Sequence, residues 1–280
     1  MVKQILLVTI PSIIILILLG FYFHYENTTL QTSYYEVSSK RIPSDFNNYK
    51  IMQISDFHNT RNEKLVNSII DKIKEEKPNI IVLTGDIIDP EQKHMEASFK
   101  FVKEIKDYAP IYYITGNHEE EVGDFGKDVL RSYGVIVLDN KVEYLEINDS
   151  KINLLGIDDP RLVDDDSLSE KEIIKKEIES IDYDKDNYTI LLSHRPEKFK
   201  LYVEMKMDLV FTGHAHGGQI RLPFIGGLYA PHQGIFPKYT NGLFKKDDTK
   251  MIVSRGIGGS SFPFRINNRP NLVIATLKSK

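Results

Sequence analysis

Five short polar clusters recur along the chain, each directly behind an apolar run. They are Ser55-Asp56-Phe57-His58, Gly85-Asp86, Gly116-Asn117-His118-Glu119, Ser193-His194 and Gly213-His214-Ala215-His216. Five of the eight histidines lie in them; His24, His94 and His232 do not. Imidazole, carboxylate and amide oxygen without thiolate suit Mn, Fe or Zn ions in a hydrolytic site better than a structural zinc site. Asp56 and His58 are two apart in what reads as extended chain, so both side chains can face one ion, and His214 and His216 share the spacing. Gly85, Gly116 and Gly213 permit tight turns that present the next side chain. These donors are too many for one ion. Two divalent metal ions sharing a bridging carboxylate account for them, and such a pair, ~3.5–4 Å apart, can generate a hydroxide and clamp a phosphoryl group.

The elements that must present these clusters alternate between strand and helix. Ile51–Ile54, Ile80–Thr84, Ile111–Thr115, Tyr188–Leu192 and Leu209–Thr212 read as strands, each ending where a cluster begins. Leu65, Ile69 and Ile73 recur at helical spacing before Pro78; helices are also expected over Met95–Asp107, Lys127–Tyr133 and Pro196–Lys206. Ser167 and Glu170 predict a capping box for a helix carrying Ile173, Ile174, Ile178 and Ile181 on one face. Val135–Leu138, Val142–Ile147, Ile152–Ile157, Met251–Ser254 and Leu272–Leu277 complete the strands. The pattern is that of an α/β protein, in which ligands gather beyond the carboxyl ends of the strands.

The N-terminus stands apart. Ile5 to Phe23 is an uncharged, largely apolar run of 19 residues, about 28 Å as a helix and close to the hydrocarbon thickness of a bilayer. Residues 1–23 are expected to be a retained single-pass transmembrane anchor, 24–41 a polar linker, and 42–280 one catalytic domain. Lys3 precedes the span and the next cation is Lys40, which predicts a cytoplasmic N-terminus and an extracytoplasmic catalytic domain.

The five clusters, in this order, resemble the signature of the calcineurin-like metallophosphoesterase superfamily: D-x-H, G-D, G-N-H-[DE], H and G-H-x-H. The resemblance runs from Asp56 to His216 and implies a four-layer α/β/β/α sandwich of two mixed sheets. It implies that Asp56, His58 and His216 hold one metal, that Asn117, His194 and His214 hold the other, and that Asp86 bridges them. His118 is then the residue that contacts the phosphate and protonates the leaving group, with Glu119 as its support. The segments GHAHGGQIRLPFIGGLYAPHQGIFPKY and SRGIGG resemble a membrane-anchored bacterial branch. That branch includes transmembrane proteins with a metallophosphoesterase domain and enzymes hydrolysing UDP-2,3-diacylglucosamine. The function so implied is hydrolysis of a phosphoester or pyrophosphate by a metal-bridging hydroxide. An amphiphilic, lipid-linked substrate such as a UDP-diacylglucosamine-like pyrophosphate is included. The alternative is a non-catalytic, membrane-tethered module that binds a phosphorylated ligand; an intact His118 argues against it, because binding alone needs no proton donor.

Composition narrows the field further. With 36 Lys and Arg against 40 Asp and Glu the formal charge is −4, and no specific nucleic-acid binding is expected. No cysteine is present, which removes disulfides, thiolate metal sites and a cysteine nucleophile. Serine-hydrolase and P-loop motifs are absent from the sequence. Asp89 either supports a metal ligand or caps the turn before Pro90. The acidic run Asp164–Asp166 and His232 read as solvated. Arg161, Arg255, Arg265 and Arg269 are open between phosphate clamps and structural cations. Apolar residues between Ile220 and Phe236 either pack on the domain or form a rim for an acyl chain.

Overall fold

A computed structural model describes residues 2–90, 94–163, 165, 167–259 and 264–280, with side chains from residue 9 onward. Asp164 and Asp166 of the acidic run lie outside the described residues.

Twelve strands form two six-stranded mixed sheets. The first contains β1 (Gln31–Ser39), β2 (Lys50–Ile54), β3 (Ile80–Thr84), β4 (Ile111–Ile114), β5 (Ile136–Val137) and β16 (Asn271–Ser279), in the order β1-β16-β2-β3-β4-β5. The second contains β6 (Lys141–Ile147), β7 (Ser150–Gly156), β8 (Tyr188–Leu192), β9 (Leu209–Thr212), β14 (Gly242–Lys246) and β15 (Thr249–Val253), in the order β14-β15-β9-β8-β7-β6. Two tiny hairpins lie between β9 and β14: β10 (Arg221–Leu222) with β11 (Gly226–Gly227), and β12 (Tyr229–Ala230) with β13 (Gly234–Ile235).

Alternation along the strands builds four layers. Ile51, Val82 and Tyr112 meet Leu154, Ile190 and Phe211 between the sheets. Their sequence neighbours Met52, Leu83 and Tyr113 point the other way, onto α2 (Glu63–Glu76), α3 (Glu96–Ile105) and α4 (Asp124–Ser132). Leu155, Leu191 and Val210 likewise pack on α5 (Glu170–Ser180) and α6 (Phe199–Glu204). Both faces of each central strand are therefore buried, which is why these strands read as continuous apolar runs. The α/β/β/α sandwich expected from the sequence is the fold observed.

Parallel pairing of β2 with β3 and β3 with β4, and of β8 with β9, sends five carboxyl ends towards one rim. All five polar clusters follow these ends.

Three local expectations are corrected. The capping box of α5 is Ser169 with Glu172, not Ser167 with Glu170: the Glu172 carboxylate accepts from Ser169 N at 2.8 Å. Secondly, the stretch read as a linker over 24–41 holds the last turns of α1 (Val2–Thr28) and strand β1, which pairs residue for residue with β16 from Gln31↔Asn271 to Ser39↔Ser279. An edge strand with one solvated face needs few apolar residues, and only Val37 in β1 is fully buried, so its composition resembles a tether. Strand β14 escaped for the same reason. Thirdly, Asp56 and His58 are not extended, as described below.

Helix α1 carries Pro11 and exposes Ile10, Ile13, Leu16, Leu18 and Phe21 at 50% or more. Residues Thr9–Thr28 are long and apolar enough to cross a membrane. A core helix would bury such side chains; here they face outward.

The fold also carries a buried acid on α5. Burial, with Asp158 beside it, lifts Glu177 from an ordinary 4.5 to about 8 against a hydrogen bond from Asn140, and its Oε2 has no partner among the described residues. A proton held more tightly by the folded chain stabilises it fully below about 4.5, and this contribution is lost as pH rises to about 8. Glu177→Gln keeps the acceptor for Asn140 without the ionisable group. Thermal melts should show it near wild type at pH 4 and more stable at pH 9, by on the order of 2 kcal/mol. Equal melting temperatures across that range would contradict the assignment.

Candidate metal centre

The residues at the strand ends converge. Side-chain donors of Asp56, His58, Asp86 and His216 lie within 4.8 Å of one another, and those of Asp86, His194 and His214 form a second such group. Asp86 belongs to both. A third group, His58, Asp89 and His118, adjoins the first.

Unusual backbone conformations create this convergence. Asp56, His58, Asp86, His214 and His216 all have positive φ, between 44° and 65°. Left-handed geometry at non-glycine residues costs on the order of 1 kcal/mol each and persists where the surroundings over-determine it. The chain reverses at these points, which aims paired residues inward where an extended strand would send them along one face. Glycine is needed at position 213 for a different reason: a Cβ there would collide with Ser55 Oγ and Asp56 Oδ2.

Hydrogen bonds hold the rings. His194 Nδ1 donates to the Thr84 carbonyl at 2.8 Å, leaving Nε2 turned to Asp86 Oδ2 at 3.0 Å. His58 Nδ1 meets Asp89 Oδ2 at 2.8 Å, leaving Nε2 3.2 Å from His216 Nε2 and 3.7 Å from Asp86 Oδ2. An outer nitrogen engaged by carbonyl or carboxylate and an inner nitrogen facing other donors is the usual arrangement of a metal-binding histidine. Asp56 Oδ2, Asn117 Oδ1 and His216 Nδ1 are buried without hydrogen-bond partners among the described residues.

The electrostatics point the same way. Asp56, Asp86, Asp89 and Glu119 are each at most 2% exposed, and so many buried carboxylates require positive charge nearby. Burial opposes the charged form of His194, yet Asp86 and Asp56 lift it to about 10. His118 is likewise opposed by burial but raised to about 9 by its hydrogen bond to Asp89 and by Asp86. His214 and His216 go the other way: burial, with Arg195 beside one and His58 beside the other, drives both well below the ordinary histidine range. Neutral imidazoles among carboxylates, with orphaned oxygens and no thiolate, fit divalent cations.

Glu119 occupies a different position from the one expected. Its carboxylate accepts from the backbone N–H groups of Asp86, Ile87, Ile88 and Gly116 at 2.7–3.0 Å, so it braces the loop that presents Asp86. It makes no hydrogen bond to His118 among the described residues. Asp89 takes that part, with Oδ1 3.2 Å from His118 Nδ1. The spacing Gly85-Asp86-x-x-Asp89 was the available signal.

Two further residues were not legible in advance. Arg195, fully buried, forms a forked pair with Asp159 at 2.6 and 2.7 Å and approaches His214 Nε2 at 3.2 Å. His232, read as solvated, has its ring 5.3 Å from that of His214. It lines a cleft of about 370 Å³ with Asp86, Asn117, His118, Arg161 and Tyr229.

A family model described as calcineurin-like phosphoesterase matches residues 49–218. An uncharacterized metallophosphoesterase of Aquifex aeolicus is 33% identical over 273 residues, 95% of this chain and 98% of the relative. The uncharacterized metallophosphoesterase YkuE of Bacillus subtilis is 31% identical over 269 residues, 93% and 90% of the two chains. Phosphodiesterase YaeI of Escherichia coli is 26% identical over 238 residues, covering 82% of each. With the matched segment holding all five clusters and the sandwich that presents them, the chain belongs to the calcineurin-like metallophosphoesterases, a family of hydrolases.

Proposed function

We propose that the protein is a membrane-anchored hydrolase of phosphodiesters or pyrophosphates that works with two divalent cations. The observation that carries this reading is Asp86, whose carboxylate is common to both donor groups. Asp56, His58 and His216 would hold one ion, and Asn117, His194 and His214 the other, with Asp86 between them. Such ions supply Lewis-acid charge at a phosphoryl group and lower the pKa of water.

The remaining chemistry belongs to the chain. His118 lines the cleft with 28% of its side chain exposed and is held by Asp89. From there it can contact a phosphoryl oxygen and give its proton to the leaving oxygen. Glu119 fixes the backbone on which Asp86 and His118 ride. Asp159 orients Arg195, and through it His214.

An amphiphilic substrate is supported by the loop after His216. Leu222, Phe224, Ile225, Ile235 and Phe236 are exposed, Phe224 completely, and Tyr229 lines the cleft itself. An apolar rim beside a phosphate-binding cleft suits an acyl chain attached to the phosphate. Helix α1 would keep that rim near a bilayer, with the catalytic domain outside the cytoplasm as the single early lysine suggests.

The test uses the detergent-solubilised full chain. Hydrolysis of a chromogenic phosphodiester should require added Mn²⁺, vanish in excess chelator and return when the metal is restored. Full turnover in chelator would overturn the hydrolytic reading, and metal binding without any turnover would favour a binding module. A diacylated nucleotide-sugar pyrophosphate should show a lower KM than its deacylated counterpart; equal values would remove the amphiphile.

A further inference from the structure

A buried cation with no counter-ion among the described residues lies away from the metal cleft. Arg255, two residues beyond β15, is 6% exposed, and its Nε and Nη2 have no hydrogen-bond partner among the described residues. It forms no ion pair among the described residues. Its charged surroundings are mostly cationic. Burial together with the Arg221 and Arg269 guanidinium groups lowers Arg255 to about 10, against Tyr35 and Glu26. The Glu26 carboxylate accepts from the Asn268 backbone at 2.7 Å and makes no ion pair with Arg255 among the described residues.

The neighbouring arginines divide by role. Arg265 is spent on carbonyls, donating to Arg255, Asn268 and Gly258. Arg221 uses Nη1 on the Gly217 carbonyl and Thr240, and Arg269 uses Nη1 on the Tyr25 hydroxyl. Among the described residues Arg221 and Arg269 make no ion pair either, so each keeps guanidinium donors uncommitted. The planar guanidinium fork matches the oxygens of a phosphate.

The position within the molecule matters as much. The segment from Arg265 to Arg269 lies against the last turns of α1. Asn27 exchanges hydrogen bonds with the Arg265 backbone, the Tyr22 hydroxyl bonds Asn267, and Arg269 stacks over the Tyr25 ring at 5.2 Å. Only Thr29 and Leu30 separate α1 from β1, so helix and domain meet without a flexible tether. The cluster therefore falls where an apolar span gives way to polar surroundings, the depth of lipid headgroups.

We propose that Arg255, flanked by Arg221 and Arg269, binds a phosphate oxyanion at the junction of α1 and the catalytic domain, at a site distinct from the metal cleft. The segment Gly256–Gly258 separates the two: Gly258 N donates to the Asp56 carbonyl at 2.7 Å, and Arg255 does not line the cleft. A lipid headgroup and free phosphate share this chemistry.

Native mass spectrometry of the metal-loaded full chain in detergent can separate the sources, using dioctanoyl phosphatidylglycerol and inorganic phosphate as probes. Wild type should bind one phosphatidylglycerol saturably, and Arg255→Gln and Arg269→Gln should bind it about tenfold or more weakly. Phosphate taken up at the metals persists in both variants, so only the variant-dependent part reports this site. If inorganic phosphate binds as tightly as the lipid with the same dependence, the ligand is free phosphate; if the lipid binds tighter, it is a headgroup. No saturable binding of either probe, or equal binding by wild type and both variants, overturns the proposal. Should Arg255→Gln fail to fold, the half-buried Arg269 still decides the matter. Loss of chelator-sensitive hydrolysis in wild type would remove the proposed function and leave this binding result standing.

Discussion

Asp86→Asn is expected to lower bound metal from two ions per chain to one or fewer and to abolish measurable phosphodiester hydrolysis. Its carboxylate is 1% exposed and enters both donor groups. It also organises its neighbours: Oδ1 accepts from His118 N at 2.9 Å, and Oδ2 lies 3.0 Å from His194 Nε2. The His194 imidazole and the other rings around it hold Asp86 well below the ordinary carboxylate range despite complete burial. An amide removes the negative charge that two cations would share and turns one ligand oxygen into a donor. Loss of a partner that merely orients a ligand costs roughly 10–100-fold; a shared ligand should exceed that. Metal analysis by plasma emission, alongside initial rates, makes the measurement. Two ions retained with a rate within tenfold of wild type would show that Asp86 is not between the metals.

His118→Ala should divide substrates by leaving group. A positioned general acid contributes about 10²–10⁴-fold, and only where the departing oxygen needs a proton. Alkyl phosphodiesters should therefore lose rate by that order, while p-nitrophenyl esters, whose leaving group departs as a stable anion, should lose far less. Metal content should stay at two per chain. Asp89→Asn tests the positioning separately. The amide keeps an acceptor oxygen but loses the negative charge that, through a charge-assisted hydrogen bond, raises His118 to about 9, so the donor would lose its proton at lower pH. The alkaline limb of kcat, present below the His118 pKa and falling as pH rises through it, should move towards neutrality. Two bound divalent cations would lower that limb in both proteins, so the difference between them is the quantity to read. A uniform loss across all leaving groups in His118→Ala would mean that the ring binds phosphate without transferring a proton.

Much of the site was legible because its signals are local. Asp56, His58, Asp86, Asn117, His118, His194, His214 and His216 each follow a strand whose apolar run is plain in the sequence, and the structure brings all of them together. Strand order needed no prediction, since parallel pairing sends every carboxyl end to one rim whichever strands are neighbours. What misled was conformation. Asp56 and His58 at spacing two look like a pair on an extended strand, and spacing contains nothing that announces left-handed turns at both. Glu119 illustrates a second limit. Its place beside His118 suggested support for that ring, but a short 3-10 turn over Asn117–Glu121 carries its carboxylate under the Asp86 loop, where four N–H groups take it up.

Residue types at strand ends were enough to determine the family and the fold class and to single out candidate donors, because apolar period, turn-forming glycines and ligand chemistry are all short-range properties. Only the tertiary structure decided that Asp89 holds His118, that Asp159 and Arg195 stand behind His214, and that β1 joins the sheet where a tether was expected. It alone set Arg269 on Tyr25 at the end of α1. Those contacts join residues 19 to more than 240 positions apart, and a contact at that range exists only once two sheets and a helix have packed.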